Sequence, residues 1–132
     1  MKKKMRRKKK EKPLRAIVYL SVKGKENNID NKEEKQLNYI TEYANAHNIK
    51  IVKIMHRSIL SDMVVNKHFS KMVSMVSRKK ADVILLSKVA GISTDIEDAY
   101  KKIGSVIQAG GCIITVDEGE LKLPIRMNRE IK

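Results

Sequence analysis

"ADVILL", residues 81–86, is the stretch on which the fold turns. After Asp82 it is apolar without alternation. A strand of that kind is covered on both faces, and such strands belong to parallel sheets flanked by helices. Upstream, Phe69, Met72, Val73 and Val76 recur at the i, i+3, i+4, i+7 spacing of a helix, closed by the basic run "SRKK" (77–80). Downstream, the loop "SKVAGIST" (87–94) leads to a second periodic segment. There Ile96, Tyr100, Ile103, Val106 and Ile107 are expected on one buried side, and "AGG" (109–111) ends the helix. "CIITV" (112–116) reads as a further strand.

The N-terminal half repeats the pattern. "RAIVYLSV" (15–22) is rich in β-branched and aromatic residues and predicts a strand, followed by the polar loop "KGKENNID" (23–30). Asp30 or Asn31 then serves as a candidate N-cap, with Glu33 and Glu34 in the first helical turn. Leu37, Ile40 and Ala44, with Tyr43 alongside, define the face of a helix running to about His47. "IKIVKIM" (49–55) alternates as a strand does, and residues 56–65 read as a loop. The order β-α-β-α-β-α-β predicts a three-layer α/β domain, a mostly parallel sheet with helices on both faces. Residues 1–12 read as a disordered basic arm, 13–121 as the domain and 122–132 as a polar tail broken by Pro124.

Composition narrows the function classes. The chain has 132 residues and a net charge of +14, with 4% aromatics and no Trp, so a platform of aromatic rings stacking on bases is not expected. Residues 1–12 hold nine Lys/Arg against one Glu; the remaining 120 hold twenty against fourteen. The excess therefore sits in the arm, where Lys2, Lys3, Lys4, Arg6, Arg7, Lys8, Lys9 and Lys10 form a candidate nucleic-acid contact. The bland alternative is a solvated tail. A single cysteine, Cys112, excludes an internal disulfide and fits a reducing cytoplasm. No apolar stretch is long enough to span a membrane.

In sheets of this kind ligand groups gather at the carboxyl ends of strands, here residues 21–25, 56–62, 87–94 and 117–120. Lys23 and Lys25 flank Gly24 at the first of these, but "GKENN" lacks the upstream glycine of a phosphate loop, so solvated loop lysines are the simpler reading. His47, His56 and His68 are too scattered for a metal motif, and neither a metal nor a cofactor is expected. Cys112, Met72 and Met75 read as core.

Taken together, "RAIVYLSV", "KQLNYITEYANAHNIKIVKI", "ADVILL" and "GSVIQAGGCIITVDEGEL" resemble the catalytic domain of serine site-specific recombinases, the resolvases and invertases, over about residues 14–121. Gln36, Ile40, Tyr43 and Ala44 fall where that family has a Gln, an apolar residue and a Tyr-Ala pair, and Asp82 precedes the third strand as it does there. The resemblance implies DNA cleavage by a serine hydroxyl, with arginines offsetting charge on the phosphate. The family pattern Tyr-X-Arg-Val-Ser reads Tyr19-Leu20-Ser21-Val22-Lys23 here. Ser21 thus holds an arginine position and Lys23 the nucleophile position. An ammonium with an unperturbed pKa near ~10.4 is a poor nucleophile at neutral pH. Gly91 and Thr94 stand at two further arginine positions, and Asn66 at another, with Lys67 beside it offering a point charge rather than a fork.

The resemblance therefore implies a recombinase-like domain without recombinase chemistry. It would contact DNA non-specifically and pair as a homodimer or with an intact recombinase. Ser21 as a substitute nucleophile lies on the same strand face as Lys23 but deeper, with no arginine around it. The family would also continue into a long helix and a DNA-binding domain, whereas eleven residues follow Leu121, so site-specific recognition by this chain alone is not expected. Two rivals stand beside this reading: a divergent active recombinase, and a small α/β module that binds an anion or a protein through the loops after its first and third strands.

Overall fold

The computed structural model describes residues 12–21, 26–57, 62–93 and 95–122, with the backbone alone for 26–30 and 62–63. Five strands form one sheet: β1 (Leu14–Leu20), β2 (Ile49–His56), β3 (Val83–Leu86), β4 (Cys112–Thr115) and β5 (Gly119–Leu121), in the order β2-β1-β3-β4-β5. The first four run parallel, and β5 returns antiparallel to β4, pairing Ile113 with Leu121 and Thr115 with Gly119. Three α-helices connect them: α1 (Glu26–Ala46), α2 (Asp62–Ser77) and α3 (Ile96–Gln108), with a 3-10 turn at Val89–Gly91 before α3.

The sheet is buried on both faces because its central strands are apolar on both. Ile17, Tyr19, Ile84, Leu86 and Ile113 face α2 and α3 and meet Phe69, Met72, Val76, Ile103 and Val106. Ala16, Val18, Leu20, Val83, Leu85 and Ile114 face α1 and meet Ile40 and Ala44. This is the expected three-layer α/β architecture. In β2 the register jumps at Ala16/Ile17, so that Val52 is an extra residue. The bulge swaps faces: Ile51 packs on the α1 side and Met55 on the other.

Four expectations need correction. Helix α1 begins at Glu26, so Asp30 and Asn31 lie inside it and neither is an N-cap. Residues 56–65 are not all loop: His56 ends β2 and α2 starts at Asp62. On α3 the buried positions are Ala99, Lys102, Ile103 and Val106, while Ile96, Tyr100 and Ile107 are 68%, 43% and 42% exposed. The buried face is shifted because Lys102, although charged, finds partners inside. Finally, the segment after β4 contains β5, which a polar reading of "DEGEL" concealed.

The helix ends follow local chemistry. Asp95 caps α3, its carboxylate accepting from the Asp98 N–H at 3.1 Å. Helices α2 and α3 close alike. Lys79 and Lys80 N–H groups donate to Val76 and Met75 carbonyls, and Gly110 and Gly111 to those of Ile107 and Val106. The residue just past the helix is left-handed in both, Gly110 at φ 101° and Lys79 at φ 65°.

Candidate functional site

The connection from β1 leads through α1 to β2 on one side, and that from β3 leads through α3 to β4 on the other. The neighbouring ends of β1 and β3 are therefore a topological switch point, where open α/β sheets leave a crevice for ligands. A cleft of about 470 Å³ opens there. Ser21 and Ser87, the residues that follow the two strands, form its floor, and Ala90 and Gly91 of the 3-10 turn form one wall. Helix α1 supplies Lys32, Lys35 and Gln36, one helical turn apart on a single face, and Lys88 completes the lining.

Gln36 ties the floor together. Its Oε1 accepts from the Ser21 N–H at 2.8 Å, and its Nε2 donates to the Ser21 carbonyl and to Ser87 Oγ, each at 3.1 Å. On the other side a Cβ at Gly91 would lie 3.4 Å from the Ser21 Cβ, so the turn closes directly over the end of β1. No carboxylate or imidazole is among the described residues lining the cleft, so neither serine hydroxyl has a base there to take its proton. Three ammonium groups and neutral polar groups can hold an anion; they cannot by themselves activate a hydroxyl.

Of the sequence-assigned positions, Ser21 and Gly91 are brought together in this cleft. Asn66 is not: it lines a second cleft of about 270 Å³ with Val65, Ile92, Ser93, Asp95 and Lys102. Lys102, 8% exposed, holds that region in place. Its Nζ donates to the Ile92 carbonyl and to Asp98 Oδ2, both at 2.7 Å, and lies 5.7 Å from the centre of the Phe69 ring. The hydrogen bond from Lys102 holds the Asp98 carboxyl below its ordinary range. Lys23, Thr94 and the arm residues Lys2 to Lys10 lie outside the described residues.

The histidines are apart. His47 stacks on Tyr43 with ring centres 4.0 Å apart, His56 pairs with Glu33 at 2.9 Å, and His68 Nδ1 meets the Tyr19 hydroxyl at 2.9 Å. Burial pushes the Tyr19 phenol up to about 12, against an opposing effect of Arg57. At the far end of the sheet Asp82 accepts from the Arg15 backbone N–H (2.9 Å), Nε and Nη2 (3.2 Å each). These bonds hold its carboxyl below the ordinary range. Sequence reasoning named Gln36 only through the family resemblance and missed Ser87, Lys32, Lys35 and Lys88. The available signals were a serine directly after an apolar strand and the i, i+3, i+4 spacing of two lysines and a glutamine.

No family model and no curated protein sequence matches the chain. Solved structures do match its fold. The C-terminal catalytic domain of ISC1926 TnpA, an IS607-like serine recombinase, aligns at a TM-score of 0.65 and 21% identity, over 89% of this chain and 78% of that one. A resolvase family site-specific recombinase from Streptococcus pneumoniae aligns at 0.69 and 16% identity, over 89% and 85%. The N-terminal catalytic domain of TP901-1 integrase aligns at 0.65 and 13% identity, over 89% and 98%. The chain therefore has the fold of a resolvase-type serine recombinase catalytic domain.

Proposed function

We propose that this chain is a recombinase-type domain linked to DNA recombination or a mobile element that has lost strand-cleavage chemistry. It acts in the cytoplasm by contacting DNA non-specifically and by pairing with a second copy or with an intact recombinase. The observation that carries this reading is the close approach of Gly91 to Ser21, near enough that a Cβ at position 91 would lie 3.4 Å from the Ser21 Cβ. The resemblance places arginines at both positions. Here two small neutral residues stand close instead, in a cleft whose described lining offers three lysines and no base. A phosphate could rest there, but the forked donors that would offset growing charge in a transition state are replaced by point charges.

The lysine lining favours a second reading, an anion-binding module without any part in recombination. A divergent active enzyme using Ser21 is disfavoured by the lack of a base beside that hydroxyl.

The test is covalent. Purified protein is incubated with sheared DNA from its source, denatured in detergent, and the DNA that precipitates with protein is measured against an intact serine recombinase. The expected result is no adduct, both for the native chain and for Lys23→Ser. An adduct that disappears in Ser21→Ala would overturn the proposal.

A further inference from the structure

The two poles of the sheet differ in charge. Acidic side chains gather at the carboxyl ends of the strands: Glu33 and Glu34 on α1, Asp95, Glu97 and Asp98 at the start of α3, and Asp117 and Glu118 after β4. They dilute the lysines of the cleft. At the opposite pole, the amino ends of the parallel strands, basic side chains outnumber acidic ones. Lys12 precedes β1, Lys50 is the second residue of β2 and pairs with Arg15 of β1, and Arg78, Lys79 and Lys80 lie between α2 and β3. Lys122 follows β5, one residue beyond the Ile113–Leu121 pair and so level with the start of β4. All six are exposed. Among the described residues the acids near this rim are Asp82, engaged by Arg15, and Glu120 on β5, close enough to act on Cys112, while Glu42 stands one turn before the end of α1.

We infer that this basic rim is a nucleic-acid backbone surface on the folded domain, at the end of the sheet away from the cleft. Five strands at about 4.8 Å spacing spread the charges over roughly 19 Å, a length along which a duplex presents on the order of ten phosphates. A shallow hollow of about 610 Å³ between Lys12, Arg15 and Lys50 gives the rim relief. The chain runs from Lys12 straight into the most basic part of the sequence, nine Lys/Arg in residues 1–12. An anionic membrane would want a cluster of large apolar side chains at the same place, and the exposed ones there are Leu14, before the body of β1, and Ile107, in the last turn of α3.

Lys79 adds an independent argument. It occupies the left-handed position past α2 at φ 65°, where α3 uses Gly110. Cations do suit a helix C-terminus, but a charge can be placed there without a left-handed side chain. A lysine held against its conformational preference at an exposed rim points to a use for its charge.

The inference rests on the non-specific DNA contact of the proposed function, whose surface it names, and not on the loss of cleavage: an adduct in the covalent assay would leave it standing. The experiment titrates the full chain against a labelled random-sequence duplex of about 25 base pairs over a salt series. Phosphatidylserine vesicles are run in parallel, and stability is measured for every variant. For K50E/K80E/K122E the expected result is an affinity at least roughly tenfold lower and a log–log salt slope smaller by roughly 3. Lys79→Gly is expected to bind more weakly while unfolding at higher denaturant, which no loss of fold can mimic. Lys71→Glu with Lys101→Glu, exposed in the middle of α2 and α3 and outside both the rim and the cleft, is expected to bind nearly as the native chain does. Native affinity in the triple variant, an equal loss in the α2/α3 pair, or binding to vesicles without binding to the duplex would each overturn the inference.

Discussion

The side chain of Gln36 pairs with Ser21 as a neighbouring strand would: its amide oxygen takes the Ser21 N–H and its amide nitrogen serves the Ser21 carbonyl. Strand β1 has run out at Leu20, and the glutamine extends its hydrogen bonding by one residue while reaching Ser87 at the end of β3. Gln36→Leu removes all three bonds and leaves a half-buried backbone pair with poorer partners. The expected cost is about 2 kcal/mol in chemical denaturation. Gln36→Glu keeps the acceptor for the Ser21 N–H and loses the donors, and is expected to cost less than Gln36→Leu.

Asp82 sets an acid limit. Its carboxyl is held below the ordinary range by hydrogen bonds from the Arg15 side chain and backbone. A lowered folded-state pKa stabilises the fold above the unfolded value, and that contribution fades as pH falls through the folded one. Urea midpoints measured from pH 6 down to pH 2 are expected to fall more steeply for the native chain than for Asp82→Asn. The two curves should converge at the acid end. Both side chains are partly exposed, so the difference is modest and shrinks in salt.

Lys102 is a cation used as a structural strut. Lys102→Met keeps the aliphatic stem and removes both donations, leaving the Ile92 carbonyl without this partner. A loss of roughly 1–3 kcal/mol is expected, read from denaturant midpoints. Hydrogen exchange should rise locally at residues 91–93 and at the first turn of α3, because these are what the ammonium joins.

The adjacent glycines 110 and 111 separate two physical effects. A Cβ on Gly111 would stand 2.5 Å from the Asp82 carbonyl oxygen and 2.7 Å from Val76 Cγ1, so backbone must move. A Cβ on Gly110 meets nothing within 4 Å but must adopt φ 101°. Gly111→Ala is expected to lose about 3 kcal/mol or more, and Gly110→Ala about 1 to 2 kcal/mol, by thermal and chemical unfolding.

Cys112 is expected to resist alkylation. Burial pushes its thiol up to about 11, with Glu120 and Asp82 adding to the shift. At pH 8 the reactive thiolate is then on the order of a thousandth of the total. Iodoacetamide should modify the native protein far more slowly than the protein in urea, and the rate should climb with pH past the ordinary thiol range.

Much of this molecule was legible in its sequence, for reasons that differ by element. Strands β1, β3 and β4 are continuous apolar runs and announce burial on both faces. Strand β5 did not, since "GEL" has no strand character of its own and exists by pairing with β4. The buried side of α3 was misplaced because hydropathy treats Lys102 as a surface residue, while its ammonium is satisfied inside by Ile92 and Asp98. The early start of α1 was hidden by the polar "ENNID", which carries no apolar periodicity. In the cleft, Ser21 and Gly91 were found as positions in a family pattern, but their close approach was not. The likeness also put Asn66 in the same group, and the fold assigns it to a different cleft.

The antiparallel turn into β5 has a practical outcome for any assay on a solid support. It brings the described chain out at Lys122 beside the pole at which it enters at Lys12. A bead or sensor chip coupled at Lys12 or Lys122 thus sits against that pole and leaves the opposite one facing the solvent. Capture experiments done this way would under-report whatever binds near the tether. Attachment through a residue on the far side, such as a cysteine introduced at Lys88, would reverse the orientation.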